Sequence, residues 1–443
     1  MPFFRKKMAL TKRICLFYRT FKKTASKSSD FSRFSLTQTN GINVISKDTG
    51  GYGTSLSVVI RSGSRFEPVF GLSHLLERFA FKNTKCRSSL RIIRETELLG
   101  GDIFSRRSRE ILTLSAQFLR DDLAYFVELL AEVLIKTKYN EFELNETVLP
   151  YALSENKRCY NEPAVFGQDV LHEIAFRRGL GRSIYTNERN YATVEMIGDY
   201  AKKSYVKNNL VVLATNADQS KLEELISEHF NDLSVGTLAS SPKTIYYGGE
   251  NRIGFKSYMN HFLISFPRPA AFMPSSEEYI LLSYLLGTGS RVKWSYENSP
   301  FGIIEKNLSN GTKLLSNNFV YSDAGLFCIH IYGPIETLQV AVKSSIEALR
   351  SLAEKIDNND IKRAISQAKY SLFDVDTDPI KIHEELGSYY LSSGSLLDQE
   401  SIASRIEKIT ATEIKSTISK MFETKPSVVV VGDTNVLPYY DEL

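Results

Sequence analysis

The residues best placed to do chemistry are His74, Glu77 and Arg78, in the run Gly71-Leu-Ser-His74-Leu-Leu-Glu77-Arg78. On a helix, residues four apart share a face. The pattern His-x-x-Glu-His therefore offers two imidazoles to one metal ion and leaves the Glu between them as a general base. In this chain Arg78 stands where the second imidazole belongs. A guanidinium has no free lone pair, keeps its proton in a protein and would set a positive charge beside a divalent ion. The expectation is a degenerate motif (His74, Glu77, Arg78) with no catalytic residue, no metal and no cofactor. His74 and Glu77 then serve as ordinary helix residues making local hydrogen bonds.

Other constellations carry less. Of the six histidines, His172 and His383 are each followed by a glutamate, but neither has a second His or Cys at i+3 or i+4, and they read as surface or packing residues. His330 lies in an alternating apolar run with no carboxylate beside it, which predicts a buried, hydrogen-bonded imidazole. Gly287-Thr-Gly289-Ser290-Arg291 lacks the third Gly of a dinucleotide fingerprint and the Gly-Lys-Ser/Thr of a P-loop. It follows a helical run, Tyr279 to Leu286, so Gly287 reads as a helix C-terminal glycine. Cys15, Cys86, Cys159 and Cys328 have no regular spacing, as in proteins of a reducing compartment.

The elements that would position these groups repeat along the chain. Ser55–Arg61 is answered by His261–Phe266, Ile111–Phe118 by Leu326–Tyr332 and Asn209–Asn216 by Ser427–Asp433, at offsets of about 206, 215 and 218 residues. The helical runs 121–135 and 335–350 occupy matching places. A chain of 443 residues exceeds one ordinary core. It is therefore expected to form two homologous lobes of α+β class facing one another across a cleft, each a sheet covered on one face by helices. The Gly, Ser and Pro-rich stretch from Asp232 to Glu250 is the expected connection, giving 36–235 and 251–443 as lobes and 236–250 as linker. No apolar run approaches the ~20 residues of a membrane helix.

Residues 1–33 hold ten Lys and Arg against the single acid Asp30, so the net charge of +4 conceals a body with 45 basic and 50 acidic residues. The body therefore has no electrostatic footprint for nucleic acid. The leader is hydroxyl-rich and amphipathic, with Phe3, Phe4, Met8, Leu10, Ile14, Phe17 and Tyr18 on one side. Residues 1–35 are expected to be a mitochondrial transit peptide.

Gly71–Thr84, Arg94–Gly101, Leu114–Asp122, Ala175–Gly181 and Gly432–Leu443 are together similar to the pitrilysin-like family of mitochondrial processing peptidase subunits and core proteins of ubiquinol:cytochrome c reductase, respiratory complex III. The resemblance runs across essentially the whole chain after the leader. In active members a glutamate on a second helix completes the zinc site. Here that position falls on Leu153, Ser154 or Glu155, depending on alignment. The resemblance implies a mostly antiparallel sheet in each lobe and a non-catalytic structural subunit of dimeric complex III. That subunit would sit on the matrix side of the inner membrane and meet the membrane only through partners. Those partners would be core protein 1, cytochrome b, cytochrome c1 and other complex III subunits. The alternative is a processing-peptidase subunit that binds or cleaves presequences. Against it, Val292–Asn298 replaces the longer glycine-rich loop of the substrate-gripping subunit.

Overall fold

The protein is described here from a computed structural model, over residues 34–442 except 190, 272, 274, 289–297, 309–310 and 375–377. Residues 1–33 of the expected leader, with Cys15, and residues 289–297 lie outside the described residues, whereas Ser35, at the leader's expected end, already belongs to a strand.

Two sheets carry the chain. The first orders β1 (Ser35–Thr39), β2 (Ile42–Lys47), β6 (Leu210–Thr215), β3 (Gly53–Ile60), β5 (Leu112–Leu119) and β4 (Asp102–Arg107). The second orders β7 (Gly249–Gly254), β11 (Ser427–Gly432), β8 (Asn260–Arg268), β10 (Gly325–Gly333) and β9 (Lys313–Val320). Without β1, the first order becomes the second strand for strand, which is the duplication expected from the repeats. Each sheet is antiparallel except for one parallel pair, β2 with β6 and β7 with β11. In both, the last strand enters between the first and the rest, placing Val212 opposite Val58 and Val428 opposite Ile264.

β3 and β11 read as near-continuous apolar runs, and a strand needs such a run only when both its faces are covered. One face of each sheet takes helices of its own half. Leu56, Val58 and Ile60 pack with Phe126 and Leu130 of helix Leu123–Lys136, and Phe262, Ile264 and Phe266 with Leu338 and Val342 of helix Ile335–Glu354. The other face is where the structure departs from the one-sided layer expected from sequence. Ile45, Val59, Val211 and Leu213 of the first sheet are covered by Leu386 and Leu391 of helix Pro379–Ser393, from the second half. Leu263, Cys328, Val429 and Val431 of the second sheet are covered by Val170 and Leu171 of helix Pro163–Phe176, from the first half. The halves thus exchange one helix each.

Both crossings bring backbone close to the sheet at a glycine. A Cβ on Gly387 would lie 2.8 Å from Val59 Cβ, and one on Gly167 would lie 3.0 Å from Leu263 Cδ1. Histidines finish the same joints. His383 Nδ1 and Nε2 bond the hydroxyls of Ser57 and Thr215 at 2.9 and 2.8 Å. His172 Nδ1 donates to the Gln168 carbonyl at 2.7 Å, and its Nε2 accepts from the Tyr321 hydroxyl at 2.8 Å. A buried polar pin adds to this. Arg65 donates to Glu110 at 2.8 Å and to both oxygens of Asp323 at 2.7 and 2.6 Å, while Glu110 accepts from the Ser322 amide at 2.9 Å.

Candidate functional site

The motif helix, Leu72–Phe79, begins at Gly71, whose φ of 84° suits a residue without Cβ. Glu67 closes its N-terminus, accepting from the amides of Gly71 and Ser73 at 2.9 Å each. Its carboxylate satisfies two otherwise unpaired N–H groups and faces the positive end of the helix dipole. Burial nevertheless pushes the Glu67 carboxyl up to about 7. Every residue of the helix except Arg78 is buried.

His74 is fully buried and both ring nitrogens are engaged. Its Nδ1 accepts from the Thr186 amide at 3.0 Å, which leaves the single proton of the neutral ring on Nε2. That proton is donated to Glu155 Oε2 at 2.8 Å. Burial, with Arg107 and Arg78 nearby and against the Glu155 hydrogen bond, lowers the imidazole to about 4, so it is neutral near pH 7. Burial works to raise the Glu155 carboxyl, but the His74 hydrogen bond and the charge of Arg78 prevail and hold it below its ordinary range.

Arg78 reaches across the space between the two carboxylates. Its Nη2 donates to Glu77 Oε1 at 2.9 Å, its Nε stands 3.0 Å from Glu155 Oε2 off the hydrogen-bonding direction, and its guanidinium carbon lies 5.1 Å from the Tyr151 ring centroid. Glu77 also accepts from Arg107 of β4, and burial still leaves its carboxyl above the ordinary value against both arginines. The resulting chain is Arg107, Glu77, Arg78, Glu155, His74. Two cations balance two anions around a neutral ring.

Glu155 therefore occupies the position left open among Leu153, Ser154 and Glu155. It sits on helix Leu149–Asn161 and faces His74 directly. Of the three residues that alignment left open, Glu155 is the one that meets His74, so the site departs from the zinc pattern at Arg78. Metal still does not fit this donor set. Of three ligand positions, one is a cation, and the proton of His74 Nε2 points where the ion would sit. Among the described residues no group of three or more His, Cys, Asp or Glu is arranged to hold a metal ion.

The remaining histidines stay apart from this centre. His172 and His383 serve the helix crossings, as packing residues. His330 is buried and hydrogen-bonded, with a partner that sequence spacing did not reveal: His261 Nδ1 lies 3.0 Å from its Nε2, across paired strands. Gly287 ends helix Ser276–Leu286 at φ 117°. The contributions of Arg107 and Thr186 were not anticipated. Only sheet pairing and loop course bring them to the motif helix, and neither leaves a spacing signal.

Residues 43–188 match the insulinase family of peptidases, M16, and residues 191–368 match the inactive domain of M16 peptidases. A cytochrome b-c1 complex subunit 2 of Schizosaccharomyces pombe is 36% identical over 91% of this chain and 93% of its own length. The chain belongs to the M16 family. Another member, the cytochrome b-c1 complex subunit 2 of Saccharomyces cerevisiae, is 30% identical over 88% of this chain and 92% of its own length. A mitochondrial-processing peptidase subunit alpha of Solanum tuberosum is 25% identical over 91% of this chain and 83% of its own length. No described helix of this family member is long and apolar enough to cross a membrane.

Proposed function

We propose that the chain is a non-catalytic core subunit of mitochondrial respiratory complex III, peripheral on the matrix side of the inner membrane, that supports assembly and stability of the dimeric enzyme. The observation that carries this reading is the Arg78 guanidinium, held between Glu77 and Glu155 where a catalytic ion would have to bind. It makes the ancestral hydrolytic centre a closed electrostatic unit. Two M16 halves locked by exchanged helices are then a rigid scaffold. Relatives named as cytochrome b-c1 complex subunit 2, aligned over nearly all of their length, support the choice of complex. The partners are core protein 1, cytochrome b, cytochrome c1 and other complex III subunits. Residues 1–35 act as a transit peptide, and 236–250 link lobes at 36–235 and 251–443. Deleting the gene and recording membrane cytochrome spectra tests the reading. Loss of assembled complex III and of ubiquinol-dependent cytochrome c reduction is expected, and normal levels of both contradict it.

The similarity to a processing-peptidase alpha subunit favours a second reading, a presequence-handling subunit. Mixing the chain with a partner subunit and a presequence peptide distinguishes the two. Cleavage that a chelator abolishes would select the peptidase.

A further inference from the structure

Thr113 and Glu384 come from opposite halves of the chain, line one cavity, and each leaves a buried polar atom without a hydrogen-bond partner among the described residues. The cavity encloses about 290 Å³ between the ends of β4 and β5, helix Leu149–Asn161, the stretch at Ile184 and Tyr185, and Glu384 of helix Pro379–Ser393. Thr113 is only 1% exposed, so bulk water does not satisfy its hydroxyl. Buried polar atoms are nearly always paired, and Arg78 Nε is a third orphan in the lining, so these atoms mark an acceptor or donor that a guest must supply.

The charges of the lining say which guest. Four arginines border the space. Arg78 and Arg107 on its floor are spent on Glu77 and Glu155. Arg158 is not, and Arg106 makes only two long ion pairs. The carboxylates nearest Arg106, on Asp378 and Glu384, stand 3.8 Å away, beyond hydrogen-bonding reach. Arg158 is exposed and enters no ion pair among the described residues. Ser108 Oγ accepts from the amides of Glu110 and Ile111, so its own proton remains to be donated. We propose that this cavity binds a small anion bearing a carboxylate or phosphate group, gripped by Arg106 and Arg158 and receiving hydrogen bonds from the hydroxyls of Thr113 and Ser108. Burial raises the Glu384 carboxyl against Arg106, with Asp378 and Glu385 adding to the rise, which weakens its repulsion of an incoming anion. A cation or a basic peptide would instead meet Arg158, the one guanidinium of the lining without a carboxylate partner among the described residues. The volume stands at the lower end of the range for small-molecule sites, which suits a compact guest.

Calorimetric titration of the full-length chain with inorganic phosphate, and separately with succinate, tests this in low-chloride buffer. Saturable heat with a Kd on the order of 1 mM is expected for at least one of them. The stronger binder tells whether the site takes phosphate or carboxylate. Bound anion should slow hydrogen exchange in residues 102–113 and 183–186. Arg106→Gln combined with Arg158→Gln removes two exposed side chains and should leave the fold intact while weakening binding about tenfold or more. Thr113→Val should weaken it about threefold without lowering the unfolding midpoint, because the hydroxyl it removes is unpaired. Absence of saturable heat from both anions at ~20 mM would overturn the proposal. So would protection confined to other segments, or a double variant that binds as tightly as the unsubstituted chain.

Discussion

Replacing Arg78 by methionine removes a cation from between two carboxylates and keeps most of its apolar stem. Arg78 stands 2.9 Å from Glu77 and 3.0 Å from Glu155, whose side chains are 2% and 13% exposed. At such a separation each attraction amounts to about 5 kcal/mol with an effective dielectric of about 20, most of it offsetting desolvation of the charges. Removing one partner of a buried ion pair costs about 3 to 5 kcal/mol. Glu77 keeps Arg107 and Glu155 keeps His74, so the lower end, about 3 kcal/mol, is the expectation for Arg78→Met. The loss should depend on pH in a definite direction. Burial already holds the Glu77 carboxyl above its ordinary value of 4.5, and losing Arg78 raises it further. A group raised on folding contributes stability below its unfolded value and loses it as pH rises through the folded one. The variant should therefore be weakest relative to the unsubstituted chain at about pH 8 and recover part of the deficit at about pH 5, by up to ~1.4 kcal/mol per pH unit for one such group. Urea unfolding of both proteins at the two pH values measures this. A deficit below about 1 kcal/mol at the higher pH, or an equal deficit at both, would refute the claim that Arg78 replaces an ion electrostatically.

Arg78→His should build a three-ligand zinc site with His74 and Glu155 once zinc displaces the His74 Nε2 proton and the Thr186 amide releases Nδ1. Metal analysis should rise from less than ~0.1 to about one zinc per chain, and no uptake would mean that His74 keeps that proton or that Glu155 cannot turn toward the metal. Gly387→Ala should destabilise the protein by about 1 to 3 kcal/mol, more than Gly167→Ala, since the new methyl meets the β-carbon of Val59 rather than a mobile leucine tip. Thermal unfolding of the pair checks the order. Asp323→Ala leaves the buried Arg65 guanidinium with Glu110 as its one carboxylate partner among the described residues and should cost about 3 kcal/mol, with faster hydrogen exchange at Tyr321–Ala324. A loss below ~0.5 kcal/mol would show that the pin does not hold the halves together.

The strands were legible because β3, β5 and β6 and their counterparts are short apolar runs whose repeat spacing survives divergence. The helical runs read at 121–135 and 335–350, observed as Leu123–Lys136 and Ile335–Glu354, were legible from their periodicity. What the chain does not announce is which surface an apolar stripe will meet. Helix Pro379–Ser393 looks like any amphipathic helix, and its partner strands precede it by more than 160 residues. His172 and His383 could be read as packing residues, but Tyr321, Ser57 and Thr215 have no sequence relation to them. The ambiguity at 153–155 has a plain cause: several elements lie between His74 and helix Leu149–Asn161, and only the packing of that helix beside the motif helix selects Glu155 as the residue that meets the ring. Arg78 was decisive in sequence because its chemistry excludes a role in any geometry. Arg107 was not, because only the pairing of β4 with β5 brings it to Glu77.

The traded helices impose an order on biogenesis. As the polypeptide emerges from its N-terminus, the surface formed by Ile45, Val59, Val211 and Leu213 stays wet until residue 391 has appeared, long after its own six strands are available. Neither half can complete itself alone, so fragments cut between them should be sticky rather than native, and a chaperone must shield the early half in the meantime.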